Sequence, residues 1–576
     1  MSRRCFRNLD RRQEAHTPAA SGRPYRSREI RSARLGIVLF TMLCGFTTAQ
    51  AQTSETYGRL LTPGVRKGLL AEPKHLKDFV KNGTLSLSLH DAILLTLENN
   101  TNIRIAETQI ETRKFAILNA HAPFDPLLQS LLNINRYSFP GYSQLQGVGA
   151  SSSATLNTLS QTGQINYTET FRTGTNIIAG VSSVKTSSNN SFYYFNPYYS
   201  SSLNLQFTQP LLRNFGLFPN TAPIVIARRG LDQSRASFQA QVSDAVLQAV
   251  QTYWTAVQAR GNLKVNQESF ALAESSYNRD KRALELGALG PLDIYRSQSE
   301  MAARRVQLIQ SELVATQAED ALRLTIGANQ DSQARTFPLD LTERPDPEGA
   351  PQTINEEDVL AEAMSHRPEL KADAYGLEAD RTNIRLAHNQ LRPDLSLMGF
   401  YQSNGLGGNQ YDLTTGQLIS AGGFESSFGQ LFGFGNPGYG GTLTLNLPLR
   451  NRAAQATLGT ALVAQSRDLY ASRQTKEEIT RQVSDAVHQL NEAKLALEAG
   501  TISLELAQKS LAADQRKFEL GAETNFFVLD SQARVAESSL VLLQVQINYQ
   551  IASAMLNHAR GTMLDPYRIQ IEDLSK

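Results

Sequence analysis

Few residues in this 576-residue chain stand at spacings that make or break bonds. The run Gly433-Phe434-Gly435-Asn436-Pro437-Gly438 fits the letters of the dinucleotide fingerprint, whose glycines let a pyrophosphate approach a helix N-terminus. Here it leads into a strand pattern instead of opening a helix, and Pro437 suits a loop, so the fingerprint is discounted. The eight histidines are scattered, with no His-Glu-x-x-His pair and no His/Asp group at metal-ligand spacing. There is no Walker lysine motif and no Gly-x-Ser-x-Gly elbow. Both cysteines, Cys5 and Cys44, fall within the first 51 residues, so the remainder has no thiol for a disulfide, a metal or a nucleophile. The expectation is a protein that is not an enzyme and takes no cofactor.

The nominal charge of +2 is set by the N-terminal segment. Residues 1–51 carry ten arginines against three acids, and the rest has 46 basic and 51 acidic side chains, a net of −5. No basic footprint for nucleic acid remains. The segment 1–51 itself reads as a Sec-type signal peptide: Arg31 and Arg34 precede an apolar run from Leu35 to Phe46, and Ala49-Gln50-Ala51 is a small-x-small cleavage site. Thr41-Met42-Leu43 lacks the small residue expected beside a lipidated Cys44, so an unlipidated protein is expected. No later stretch is long and apolar enough for a membrane helix. An exported chain of this kind enters a membrane only as a closed β-barrel.

The elements that remain are long and duplicated. Gln-Val-Ser-Asp-Ala-Val occurs at Gln241–Val246 and again at Gln482–Val487, each inside a long proline-free helical pattern. These copies lie 241 residues apart, whereas Gly287, Ser297-Gln298 and Gly327 align with Gly521, Ser531-Gln532 and Gly561 at a separation of 234. The difference is one heptad, which a coiled coil can lose without turning its apolar seam to another face. That seam steps through Val242, Val246, Ala249, Tyr253 and Ala256, and again through Val483, Val487, Leu490, Lys494 and Leu497. Trp254 is expected in the same inter-helix packing.

Both halves follow one plan. A helical segment (Leu89–Ala120, Glu356–Gln390) is followed by a proline break, an alternating region, a Pro-Leu strand end and a long helical hairpin. Expected boundaries are an irregular segment at 52–84, a first repeat at 85–327, a Pro-rich connector at 328–355, a second repeat at 356–561 and a tail at 562–576. The alternating runs are Leu127–Tyr137, Leu203–Thr208, Leu395–Tyr401 and Leu443–Leu447, the dyads a water-filled membrane barrel requires. The Gly/Ser/Asn/Tyr-rich stretches Ser138–Ser160, Lys185–Ser202 and Gln402–Gly440 read as exposed loops.

Gln209-Pro210-Leu211-Leu212, its counterpart Leu447-Pro448-Leu449, and the glycine turns at Leu286–Ile294 and Leu520–Asp530 carry a resemblance. In this order, twice over, the chain resembles the TolC-like outer-membrane factor family. The resemblance implies a mainly α fold with a β-barrel portion: a duplicated helix–strand–long-helix-hairpin repeat. It further implies a homotrimer whose protomers each give four strands to a 12-stranded outer-membrane barrel, continued by a periplasmic α-helical barrel. Two further strand-like runs, Gln164–Thr168 and Asn176–Val184, are therefore expected to form an extended hairpin or external loop. The implied function is an export duct of a tripartite efflux or type I secretion system, working with a periplasmic adaptor (membrane fusion) protein and an inner-membrane RND or ABC pump. The glycine turns would be adaptor-docking tips, Gly287, Ala288, Leu289 and Gly290 in one hairpin and Gly521, Ala522 and Glu523 in the other. The resemblance places a periplasmic constriction at Asp530 and Phe527, and the closed-state contact at Phe518 and Asp293. Three Asp530 carboxylates on one lumen would favour cations. The competing expectation is a coiled-coil structural protein of the cell envelope with no pore.

Overall fold

A computed structural model describes residues 76–81, 83–141, 155–287, 290–331, 334–346, 354–520 and 522–569. The signal-peptide segment and most of the stretch 138–154 lie outside these residues. The first half begins with β1 (Val80–Lys81), β2 (Thr84–Leu87), α1 (Leu89–Asn99) and α2 (Thr101–His121). Four long strands follow, β3 (Leu127–Pro140), β4 (Thr155–Thr170), β5 (Asn176–Ser188) and β6 (Phe195–Pro210), then α3 (Leu217–Glu285) and α4 (Pro291–Thr325). After β7 (Leu339–Leu341) the plan repeats with α5 (Glu356–His366) and α6 (Pro368–Gln390). β8 (Asp394–Tyr411), β9 (Leu418–Ser420), α7 (Phe424–Gly433) and β10 (Pro437–Asn446) come next, and α8 (Arg452–Glu519) and α9 (Asn525–Arg560) end the half.

At 69 and 68 residues, α3 and α8 are each about 100 Å long at 1.5 Å per residue. Most of the anticipated seam is buried. Val242, Val246, Ala249, Tyr253 and Ala256 have no exposed surface, and Val483, Val487 and Leu490 are buried as well. Trp254 is buried, edge-on to Tyr253. Gly261 and Gly500 sit where a side chain would run into Leu543 and Val545, so glycine lets α9 approach both long helices closely. The returning helices α4 and α9 end alike: Gly327 (φ 75°) and Gly561 (φ 79°) are both left-handed caps. β7 pairs in parallel with β2, so the Pro-rich stretch contributes the third strand of a small sheet, β1-β2-β7, packed against α3. There the Tyr253 hydroxyl donates to the Leu87 carbonyl at 3.2 Å.

The sheet corrects one expectation. Its order is β10-β8-β6-β5-β4-β3, all antiparallel, with β9 on the end of β8. The chain thus supplies six long strands where four were anticipated, because β4 and β5 pair along their whole length with β3 and β6. The loop readings shrink accordingly. β5 and β6 run through most of Lys185–Ser202, β8 extends to Tyr411, and α7 interrupts the stretch read as Gln402–Gly440.

Cross-strand partners share a face, so register assigns the two sides of the sheet. Tyr439, Tyr401, Leu205, Ala179, Tyr167 and Leu128 form one continuous row. The adjacent row on the opposite face is Gln402, Asn204, Gly180, Asn166 and Gln129. One side is an apolar band; the other is mixed, with a ladder of amides and hydroxyls, in which Gln164 bonds Asn166 and Ser182 bonds Ser202, interspersed with Leu131, Ile178, Met398 and Phe400. β3 and β10 are the open edges, exposed nearly throughout on both faces.

Candidate duct and its helical tips

At the far end of the long hairpins, two turns reverse the chain. In the first, the Leu286 and Gly287 N–H groups donate to the Arg282 and Leu284 carbonyls, and Gly287 takes φ +73°. No atom lies within 4 Å of where a Cβ would stand there, so glycine is required by the backbone and not by crowding. α4 then starts at Pro291, where a missing N–H costs nothing. Ala288 and Leu289 lie outside the described residues, and of Asp293 only the backbone, in the first turn of α4, is described.

In the second turn the Ala522 N–H donates to the Lys517 carbonyl at 2.9 Å, and Thr524 stands at the N-cap position of α9, its carbonyl accepting from the Phe527 N–H. Gly521 is outside the described residues. Glu523 reaches back to Lys517 at 2.7 Å and holds that ammonium above its ordinary pKa, with Asp514 adding a smaller contribution. Asp514 itself is held below the ordinary carboxylate range, first by the Ser531 hydroxyl and then by Lys517. Those bonds fasten the start of α9 to the end of α8.

Two cation–π contacts cluster at the tips, and both run between the hairpins. Arg279 of α3 covers the ring of Phe518 in α8 at 5.5 Å, and Arg296 of α4 covers Phe526 of α9 at 5.2 Å. Phe526 and Phe527 meet edge to face at 5.4 Å, and both are about half exposed. Asp530 pairs with Arg534 one turn along its own helix at 2.8 Å. Of the anticipated constriction set, Phe518, Phe527 and Asp530 therefore gather at one end of the molecule. Their arginine neighbours Arg279, Arg296 and Arg534 went unnoticed in the sequence; each could have been found as a basic residue within a few helical turns of a glycine turn.

Among the described residues no group of His, Cys, Asp or Glu is arranged to hold a metal, and no helix is long and apolar enough to cross a membrane. The sheet is the part suited to lipid. Its strands of 10 to 18 residues meet or exceed the 9–11 that a tilted membrane strand needs.

The family model described as "Outer membrane efflux protein" matches residues 176–328 and 359–562. The antibiotic efflux pump outer membrane protein ArpC of Pseudomonas putida is 22% identical over 333 residues, 57% of this chain and 62% of that protein. The match thus spans less than two thirds of this relative's length. Among solved structures, the CmeC outer membrane channel of Campylobacter jejuni superimposes with a TM-score of 0.57 at 13% identity, covering 87% of this chain and 91% of that one. The outer membrane protein VceC of Vibrio cholerae gives 0.57 at 14%, covering 82% and 96%. Matched over more than half its length by the family pattern and sharing the channel fold, this chain belongs to the outer membrane efflux protein family.

Proposed function

We propose that the chain is the exit duct of a tripartite efflux or type I secretion system, acting as a homotrimer in the outer membrane. The observation that carries this is the sheet: an apolar band on one side, most of the amides and hydroxyls on the other, and both edges open. Long, flat, exposed edge strands template aggregation unless something pairs with them. Closing β10 of one copy onto β3 of the next removes every edge and puts the apolar band against lipid. The helical part supports the same assembly. Val306, Ile309 and Leu313 on α4, and Leu495, Ile502 and Leu506 on α8, are large apolar side chains left at least half exposed. They recur at helical spacing, as on a face that meets another helix.

In this reading energy comes from an inner-membrane RND or ABC pump, and a periplasmic adaptor docks on the turns around Gly287–Gly290 and Gly521–Glu523. Asp530 and Phe527 form the constriction, and Phe518 with Asp293 belongs to its closed state. Signal-peptide cleavage after Ala51 and an unlipidated N-terminus belong to the same proposal. The test is migration of the purified protein on a denaturing gel with and without boiling, alongside its native mass. A heat-modifiable band of trimeric mass supports the duct. A monomer or dimer indifferent to boiling supports an envelope rod instead.

A further inference from the structure

β4 and β5 are part of the wall and not an external flap. Their turn is locked to the junction where β6 ends and α3 begins. Gly174 there has φ +86°, and a Cβ would stand 2.7 Å from the Asn214 carbonyl and 2.8 Å from the Asn220 amide. The Gly216 N–H donates to the Thr173 carbonyl at 3.2 Å, and the Thr175 hydroxyl bonds Gln209. Ile165, Ala179 and Val181 continue the apolar band, while Thr162, Gln164 and Asn166 continue the polar ladder.

The polar side carries one charged strand residue, Asp394 at its base, and none beyond it. The charged side chains of the six long strands are Arg136, Glu169, Lys185 and Asp394. Register puts Arg136, Glu169 and Lys185 on the apolar face, near its two ends. Asp394 stands at the base of β8, bonded to Arg213 at 2.8 Å.

Resting on the trimeric duct proposed above, we infer that three copies close eighteen strands, not twelve, around a lumen that is uncharged beyond the Asp394–Arg213 pairs at its base and lined by amides and hydroxyls interspersed with Leu131, Ile178, Val184 and Phe400. Its cargo class is bulky polar solutes, passed through the barrel without sorting by charge. Barrel diameter grows roughly linearly with strand number, so the bore is about half as wide again, in the range where an aqueous channel stays open. With Asp394 neutralised by Arg213 and no charged ring beyond it, there is little field to select ions at this level, and selection falls to the helical tips.

The test uses the full-length protein in lipid. Cryo-electron microscopy of the nanodisc-embedded assembly should count eighteen strands. Excising Thr155–Ser188 leaves β3 and β6 as antiparallel neighbours, and the largest polyethylene glycol that enters the pore should shrink by about a third in diameter. Because that deletion tests folding as well, Gln164→Glu provides a second readout: its three carboxylates should shift the reversal potential towards cations. A twelve-stranded barrel, or a conducting channel whose potential is unmoved by Gln164→Glu, overturns the inference and leaves the duct standing. Particles with no closed barrel overturn both.

Discussion

The Arg279 guanidinium lies over the ring of Phe518, 5.5 Å from its centroid, joining the end of α3 to the end of α8. Together with Arg296 on Phe526 it forms a two-point clasp between the hairpins. An exposed cation–π contact contributes about 0.5–1 kcal/mol. If both contacts are made only with the tips together, losing them changes the open-to-closed ratio by roughly 5- to 30-fold. The double variant Arg279→Ala/Arg296→Ala should therefore raise open probability in a planar bilayer by about that factor, with each single variant giving part of it. Unchanged gating would show that the clasp is incidental.

Asp530 and Arg534 make opposite predictions. The pair is exposed, so neither alanine variant should change stability by more than ~1 kcal/mol. Ion preference should move instead. Asp530→Ala should lower cation preference, and Arg534→Ala, which frees the carboxylate, should raise it. Reversal potentials moving in the same direction for both would remove Asp530 from the constriction.

Two glycines with similar backbone should differ in tolerance. Gly287 has φ +73° and open space, so Gly287→Ala meets only the left-handed backbone penalty, about 1 kcal/mol. Gly174 has φ +86° and is walled in by the Asn214 carbonyl and Asn220. Gly174→Ala should displace the β4–β5 turn and reduce the yield of heat-resistant assembly several-fold, whereas Gly287→Ala should assemble normally. Equal yields would mean that the turn is not anchored where the structure puts it.

Alkaline pH should find the small sheet beside α3. Burial pushes both Tyr253 and Tyr567 up to about 12. With the folded pKa raised, stability is fully present below pH 10, where both states are protonated, and is lost as pH climbs from 10 towards 12, because only the unfolded chain ionises in that window. Stability should be flat up to pH 10 and then fall by about 1.4 kcal/mol per pH unit for each tyrosine. Tyr253→Phe should halve that slope in urea titrations. It should also cost about 1–3 kcal/mol at pH 8 by leaving the Glu343 N–H without its hydroxyl acceptor, while the Leu87 carbonyl keeps Thr342 as donor.

The helices were legible because burial and periodicity agree: every apolar seam position from Val242 to Ala256 is buried. The 234-residue register of the two returning helices survives as two glycine caps, Gly327 and Gly561, with nearly the same φ. The sheet was less legible. β4 carries only Leu156, Leu159, Ile165 and Tyr167 among Thr, Ser, Asn and Gln, so its alternation is nearly invisible beyond Gln164–Thr168. Placing it outside the wall came from the expected strand count, not from its residues. α7 was lost in a glycine-rich stretch, although Phe424, Phe428 and Phe432 recur every fourth residue and pack on one another. The helix lies on the apolar face of β8, where Gly405 and Gly407 leave room for its backbone. Those glycines read as loop when they are strand residues under a helix. At the tips, alignment brought out Phe518, Phe527 and Asp530, but it could not show the arginines over Phe518 and Phe526, since those contacts cross between elements.

The most direct test of the duct is single-channel current from the full-length protein in a planar lipid bilayer, compared with Arg279→Ala/Arg296→Ala. The account predicts discrete openings, rare in the parent and frequent in the variant. A variant that inserts as a heat-modifiable trimer and carries no current would contradict it.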